Sequence, residues 1–118
     1  MALTLGIEFF AVTIASGNSL SAAISIGAKT LVGLQMPAGW DAAGVTFQAS
    51  YDGGTTFGDV HNAAGEFAVA SVAAGQFVGI DPAIWRGVTT IKVRSGTSAA
   101  PVNQTADRVV TLAARPVA

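Results

Sequence analysis

The sequence predicts an all-β fold, one antiparallel sandwich or barrel carrying a single short helical turn near residues 81–87. Three observations predict it. Apolar and polar residues alternate over short segments, the period of a half-buried strand. Turn signals rich in Gly, Pro, Asn and Asp divide those segments at roughly ten-residue spacing, which suits a sandwich or barrel. No heptad pattern, internal repeat or linker interrupts the 118 residues, so residues 1–118 read as one domain. A chain of that length buries roughly two thirds of its unfolded surface without a metal or disulfide staple.

The elements follow in order. Glu8-Phe9-Phe10-Ala11-Val12-Thr13-Ile14 is the first strand and Ser16-Gly17-Asn18-Ser19 the turn after it. Leu20 to Ile26 alternates, placing Leu20, Ala22, Ile24 and Ile26 on one face. Thr30 to Met36 is a strand that stops at Pro37, and Met36 to Asp41 is too rich in Pro and Gly for a ladder. Val45 to Tyr51 alternates again, with Val45, Phe47 and Ala49 facing one way. Phe57 to His61 is a returning arm, and Asn62-Ala63-Ala64-Gly65 turns the chain. Phe67, Val69 and Ser71 oppose Ala68, Ala70 and Val72 on a further strand, and Gln76 to Ile80 makes another.

Asp81-Pro82-Ala83-Ile84-Trp85-Arg86-Gly87 differs from its surroundings. An Asp N-cap, a Pro at the first helical position and a Gly at the exit describe one helical turn. It reads as a crossover lid that sets Ile84, and with it Trp85, onto the sandwich end. Val88 to Ser95 is the strongest strand, with its Val and Ile separated by face from its Thr, Lys and Arg. Gly96 to Pro101 is a low-complexity loop, and Asp107 to Ala113 is the last strand.

Between two of these strands lies Ser50-Tyr51-Asp52-Gly53-Gly54-Thr55-Thr56-Phe57. An Asp at this position accepts hydrogen bonds from backbone amides ahead of it, and the glycines supply the positive φ of the reversal. Phe57 is expected to fold back onto the sheet as a plug. The spacing of Ser50, Asp52, Gly54, Thr56 and Phe57 resembles the Asp-box hairpin of sialidases and many other β proteins. That resemblance implies a structural turn and no activity.

Composition narrows the function. There is no cysteine, hence no disulfide framework, thiolate zinc site or cysteine nucleophile. Charged residues are only 11% of the chain, so part of the surface is expected to be covered by a partner. The six basic residues, Lys29, Arg86, Lys92, Arg94, Arg108 and Arg115, are scattered, which argues against nucleic acid. No run of 18 apolar residues offers a membrane span. Residues 1–15 lack a positive n-region and contain Glu8, so they read as an early strand of a cytoplasmically made protein and not as a signal peptide.

Site chemistry is sparse. His61 is the only histidine, without a Gly-x-Ser-x-Gly elbow, and reads as a surface residue. Of the acids, Asp52 and Asp81 have a turn and a cap to serve, which leaves no evident carboxylate pair for glycoside hydrolysis. No catalytic residue and no cofactor is expected. Asp41, Asp52, Asp59 and Glu66 could donate to calcium, but no acid-x-acid-x-acid loop is present. Trp40, Tyr51, Phe57 and Trp85 lie in or beside loops, either as plugs of the sandwich ends or as stacking platforms for a glycan. Trp40 is the ring expected to be most exposed.

The stretches Ala15 to Ala23, Leu31 to Trp40 and Phe47 to Phe57, with Ile80-Asp81-Pro82 through Ile91 to Gly96, resemble small proteins encoded among the structural genes of tailed bacteriophages and prophages. The Val/Ile-Lys-Val-Arg-Ser ending also looks like galactose-binding or jelly-roll sandwiches, which include carbohydrate-binding modules and phage decoration domains. The resemblance implies a jelly-roll sandwich and a virion component on the capsid exterior, a decoration (cement) protein. Its partners would be the major capsid protein and itself, as a trimer. The contact surface is expected at Phe9, Phe10, Trp40 and Trp85, with residues 1–6 as an arm that adds to a neighbouring sheet. A glycan-binding module of a tail or baseplate, or a head-completion or tail component, is the alternative.

Overall fold

A computed structural model describes residues 6–70 and 72–116. Ten strands and one 3-10 turn follow one another: β1 (Glu8–Ile14), β2 (Ile24–Ser25), β3 (Lys29–Gln35), β4 (Val45–Ser50), β5 (Gly58–Asp59), β6 (His61–Asn62), β7 (Gly65–Glu66), β8 (Phe77–Gly79), the turn at Pro82–Trp85, β9 (Thr90–Ser95) and β10 (Arg108–Pro116). The fold is all-β and every strand pair is antiparallel. One sheet has the order β1-β10-β3-β8, the second β2-β9-β4-β5, and β6 with β7 forms a small separate hairpin. Most of the arm expected over residues 1–6 lies outside the described residues, as does Ser71.

The two four-stranded sheets share one core. Val12 and Ile14 of β1, Val110 and Leu112 of β10 and Leu34 of β3 meet Val45 and Phe47 of β4 and Ile91 and Val93 of β9. Each side chain removed from water contributes about 1.5–3 kcal/mol. Alternation places these residues inward and their neighbours outward. The turn after Asp81 forms as its sequence dictates, with the Ala83 amide donating to Asp81 Oδ1 at 3.0 Å. It delivers Trp85, fully buried, against Phe47 and Phe67, the ring centroids 4.9 and 5.9 Å away and both edge-on.

Two expected strands are shorter than their alternation suggests. Between Leu20 and Ile26 only Ile24 and Ser25 form a ladder, against Ile91 and Thr90, while Leu20 makes a lone bridge to Arg94. Ser21 is the cause. Its hydroxyl is buried, donates to the Ala22 carbonyl and accepts the Val93 amide at 2.9 Å, so a side chain replaces a rung of the ladder. Ala22, expected inside, is exposed. Among the described residues from Phe67 to Val72, only Val69 forms a bridge, exchanging both backbone bonds with Val45. Further along the same edge of β4, β5 takes Gln48 and Ala49. The edge is thus covered in two pieces, and the β6–β7 hairpin loops out between them.

Gly96 ends β9. Its φ is +87°, and a Cβ there would come within 2.5 Å of the Ala100 carbonyl oxygen, so only glycine fits. The loop that follows is held by Gln104, which is fully buried and makes four bonds. Its Oε1 accepts from the Asp41 amide and Arg108 Nε, and its Nε2 donates to Ser95 Oγ and the Asp41 carbonyl. That set joins the loop after β9 to the one that carries Trp40.

Candidate functional site

The turn at Ser50–Phe57 is built as its residue types require. Asp52 Oδ1 accepts the Thr55 amide at 3.1 Å and the Thr56 amide at 2.9 Å. Ser50 Oγ donates to the same oxygen at 2.6 Å while accepting the amides of Asp52 and Gly54. Gly53 and Gly54 take φ of 78° and 101°. The Ser50 hydroxyl, followed by the Thr56 amide and hydroxyl, holds the Asp52 carboxyl well below the usual carboxylate range. Phe57 does return to the sheet, half-buried, yet it packs under Lys92, whose Nζ lies 4.3 Å from the ring centroid. It is Trp85, and not Phe57, that fills the core beside Phe47.

A second polar cluster lies on the outward face of β9 and β4. Arg94 is buried, its Nη2 2.7 Å from Glu66 and 3.0 Å from Asp59, and its Nε donates to Thr46 Oγ1 at 2.9 Å. Ser98 adds its amide to Glu66 and its hydroxyl to Asp59 Oδ2 at 2.8 Å. The Ser98 hydroxyl and the Arg94 guanidinium together outweigh burial and hold Asp59 below its ordinary range. The guanidinium thereby occupies the place a cation would take between two acids proposed as calcium donors. Asp41 is elsewhere, bound to the Thr105 amide and to Arg108. The Thr105 amide and hydroxyl lower its pKa in turn.

All three carboxyls titrate below their ordinary value of 3.8, so the stability they contribute is complete above that value. It is lost as pH falls through 3.8 toward the folded-state values. We expect the thermal midpoint to hold from neutral pH to about pH 5 and to drop steeply below about pH 4. The substitution Asp52→Asn should flatten that drop, read from unfolding scans between pH 6 and 2.

The aromatic residues divide sharply. Trp40 and Trp85 are buried, at 6% and 0% exposure, so neither ring can stack on a glycan or meet a partner. Trp40 is drawn in by its indole N–H, which donates to the Ala43 carbonyl at 3.1 Å. Phe10 is half-buried against the core, and of the four expected contact residues Phe9 alone stands out, 65% exposed. Tyr51 is 73% exposed. With Phe57, Ile84, Val88, Asp59 and His61 it lines an open groove of about 470 Å³.

The other surface of note is the outward face of the first sheet. Its register places Phe9, Ala113, Gly33 and Gly79 in one row across four strands, and Ala11, Thr111, Gln35 and Phe77 in the next. Thr13 and Val109 begin a third row. None of these residues is charged, and Phe77 is 76% exposed. Alternation already points Phe77 and Gly79 outward when Val78 and Ile80 are taken as inward, a signal present in the sequence and unused by the expected contact set.

Comparison with protein families, with curated proteins and with solved structures finds no match to this chain.

Proposed function

We propose that this chain is a non-enzymatic structural protein of a tailed-bacteriophage virion, a decoration protein made in the host cytoplasm that binds the outside of the capsid lattice and stabilises it. The resemblance of the Leu31 to Trp40 and Phe47 to Phe57 stretches to phage structural proteins supports this reading. Strand order supports the jelly-roll part of it. With β6 and β7 set aside and the other strands counted one to eight along the chain, the sheets run 1-8-3-6 and 2-7-4-5. That interleaving, with the chain crossing repeatedly between sheets, is the kind of order a jelly-roll reading expects.

The observation that carries the partner assignment is β1. It is a seven-residue strand at the edge of its sheet, paired among the described residues only with β10. Natural edges are guarded by Lys, Pro, a bulge or brevity. β1 carries one charge, Glu8 at its first position, paired with Lys29. From Phe9 to Ile14 it has no charge, Pro or bulge, and the register shift in its sheet lies between β10 and β3, at Ala113 and Ala114. An edge of this kind takes an added strand from a partner, here the major capsid protein. Because each copy binds only the assembled lattice, binding shifts the equilibrium toward the closed shell by mass action. Hydrogen exchange tests the contact. Backbone amides of residues 8–14 should gain protection at least tenfold on capsid binding, and unchanged exchange there would remove β1 from the interface.

One observation favours the glycan-binding alternative, the groove beside Tyr51. An exposed ring over an apolar floor with carboxylates at the rim is a stacking arrangement for a sugar. On that reading Tyr51→Ala abolishes saturable sugar binding while Trp40→Phe leaves it intact.

A further inference from the structure

The outward face of the first sheet carries a pattern the lattice contact does not use. Phe9 sits at one end of its row, on β1, and Gly79 at the other, on β8. In the next row the order is reversed, with Ala11 on β1 and Phe77 on β8. The trough between the two aromatic residues, floored by Gly33, Gly79 and Ala113, has a volume of about 200 Å³.

Gly79 is unexplained by the fold. Its φ is not positive, and a Cβ built on it would meet nothing within 4 Å. At Gly33, by contrast, a Cβ would lie 3.0 Å from the Val78 carbonyl oxygen, so that glycine has a reason inside the molecule. A glycine in a strand costs roughly 0.5–1 kcal/mol relative to alanine. A bare strand backbone with open space above it marks the close approach of another surface.

We propose that this surface is the same face of a second copy of the chain, packed across a twofold axis that runs along the strands through the middle of the sheet. That operation keeps each row and exchanges β1 with β8. Phe9 of each copy then lies over Gly79 of the other, and Phe77 over Ala11. Both aromatic knobs meet small residues, Ala113 meets Gly33, and the two polar members, Thr111 and Gln35, face each other. An isologous interface must be self-complementary in this sense, and these two rows are. A partner of unrelated shape would have no need of the reversed order.

The size is adequate for a dimer of modest affinity. Four strands about 4.8 Å apart give a width of roughly 19 Å, while the length falls from seven residues, about 24 Å, on β1 to three, about 10 Å, on β8. That tapering footprint lies below the ~600 Å² per partner of standard interfaces, in the range of weak and transient association. Arg115 lies beyond these rows, one pair from the end of the β10–β3 ladder, opposite Thr30. The twofold arrangement replaces the trimer expected from sequence, because knob and hole share one face and close the assembly at two copies.

Sedimentation equilibrium of the full chain, without capsids, tests the dimer independently of any lattice contact. The wild-type chain should be dimeric at high micromolar concentration. Gly79→Leu fills the hole that receives Phe9, and Ala11→Glu places a charge under Phe77. Each should weaken association at least tenfold and leave the thermal midpoint of the dilute monomer within a few degrees. A wild-type chain that stays monomeric to millimolar concentration would overturn the proposal, as would a trimer, or a dimer that both variants leave intact. A monomer whose capsid binding is lost in both variants would also overturn it, assigning the face to the lattice instead.

Discussion

Replacing Trp85 by alanine should cost about 4 kcal/mol, close to the whole stability of many domains of this size. The side chain has no solvent exposure and meets Phe47 and Phe67 edge-on. Its removal forfeits the transfer of a large ring, leaves a cavity between sheet and turn, and breaks two aromatic pairs worth about 0.5–1.5 kcal/mol each. The indole N–H complicates this in a useful way. Nε1 is the one buried side-chain polar atom without a hydrogen-bond partner among the described residues. An orphaned donor costs about 1–3 kcal/mol. Trp85→Phe deletes the orphan along with part of the ring, so the two effects offset and the net loss should be about 1 kcal/mol or less. Urea unfolding of the two variants decides the point. A phenylalanine variant as unstable as the alanine one would mean that the donor costs nothing where it lies.

Arg94→Met should be the second severe substitution, at roughly 3 kcal/mol. The guanidinium is nearly dry, whereas Asp59 and Glu66 keep 27% and 20% of their side-chain surface. Removing the cation leaves two carboxylates facing each other, while the Thr46 hydroxyl keeps its bond to the Gly96 carbonyl at 2.7 Å. It also frees the β6–β7 hairpin and the Ser98 loop, which this cluster ties to the sheet. Partial exposure of the acids sets the loss at the lower end of the range for a broken buried pair. The triple variant Arg94→Met, Asp59→Asn, Glu66→Gln should recover most of it, because no unpaired charge remains. If the triple variant is as unstable as the single one, the cluster acts by packing and not by charge.

What the sequence made legible was local. Period-two alternation located β1, β3, β4, β9 and β10, since a strand with one face in the core records that fact residue by residue. The Asp52 turn and the Asp81 cap were legible for a related reason, that their side chains bond to amides only two to four residues away. Long-range arrangements were not. Nothing near Ser21 in the chain tells that its hydroxyl will meet the Val93 amide. Gln104 sits in a featureless loop, and its four bonds reach Asp41, Ser95 and Arg108. Trp40 and Trp85 flank loops, and a loop position alone leaves a ring free either to plug a sandwich end or to face a partner. Both are buried, Trp40 with its indole on the Ala43 carbonyl and Trp85 by packing alone. Phe9 was legible as outward because it alternates with Phe10 and Val12. Gly79 says nothing until the space above it is known.

The most direct test of the decoration assignment is co-sedimentation of the purified chain with expanded capsids that lack it, in the presence of a panel of host glycans. Saturable binding at the stoichiometry of the lattice, indifferent to every sugar, is the expected result. Failure to bind capsids, or binding that a glycan abolishes, would contradict it and transfer the function to the groove beside Tyr51.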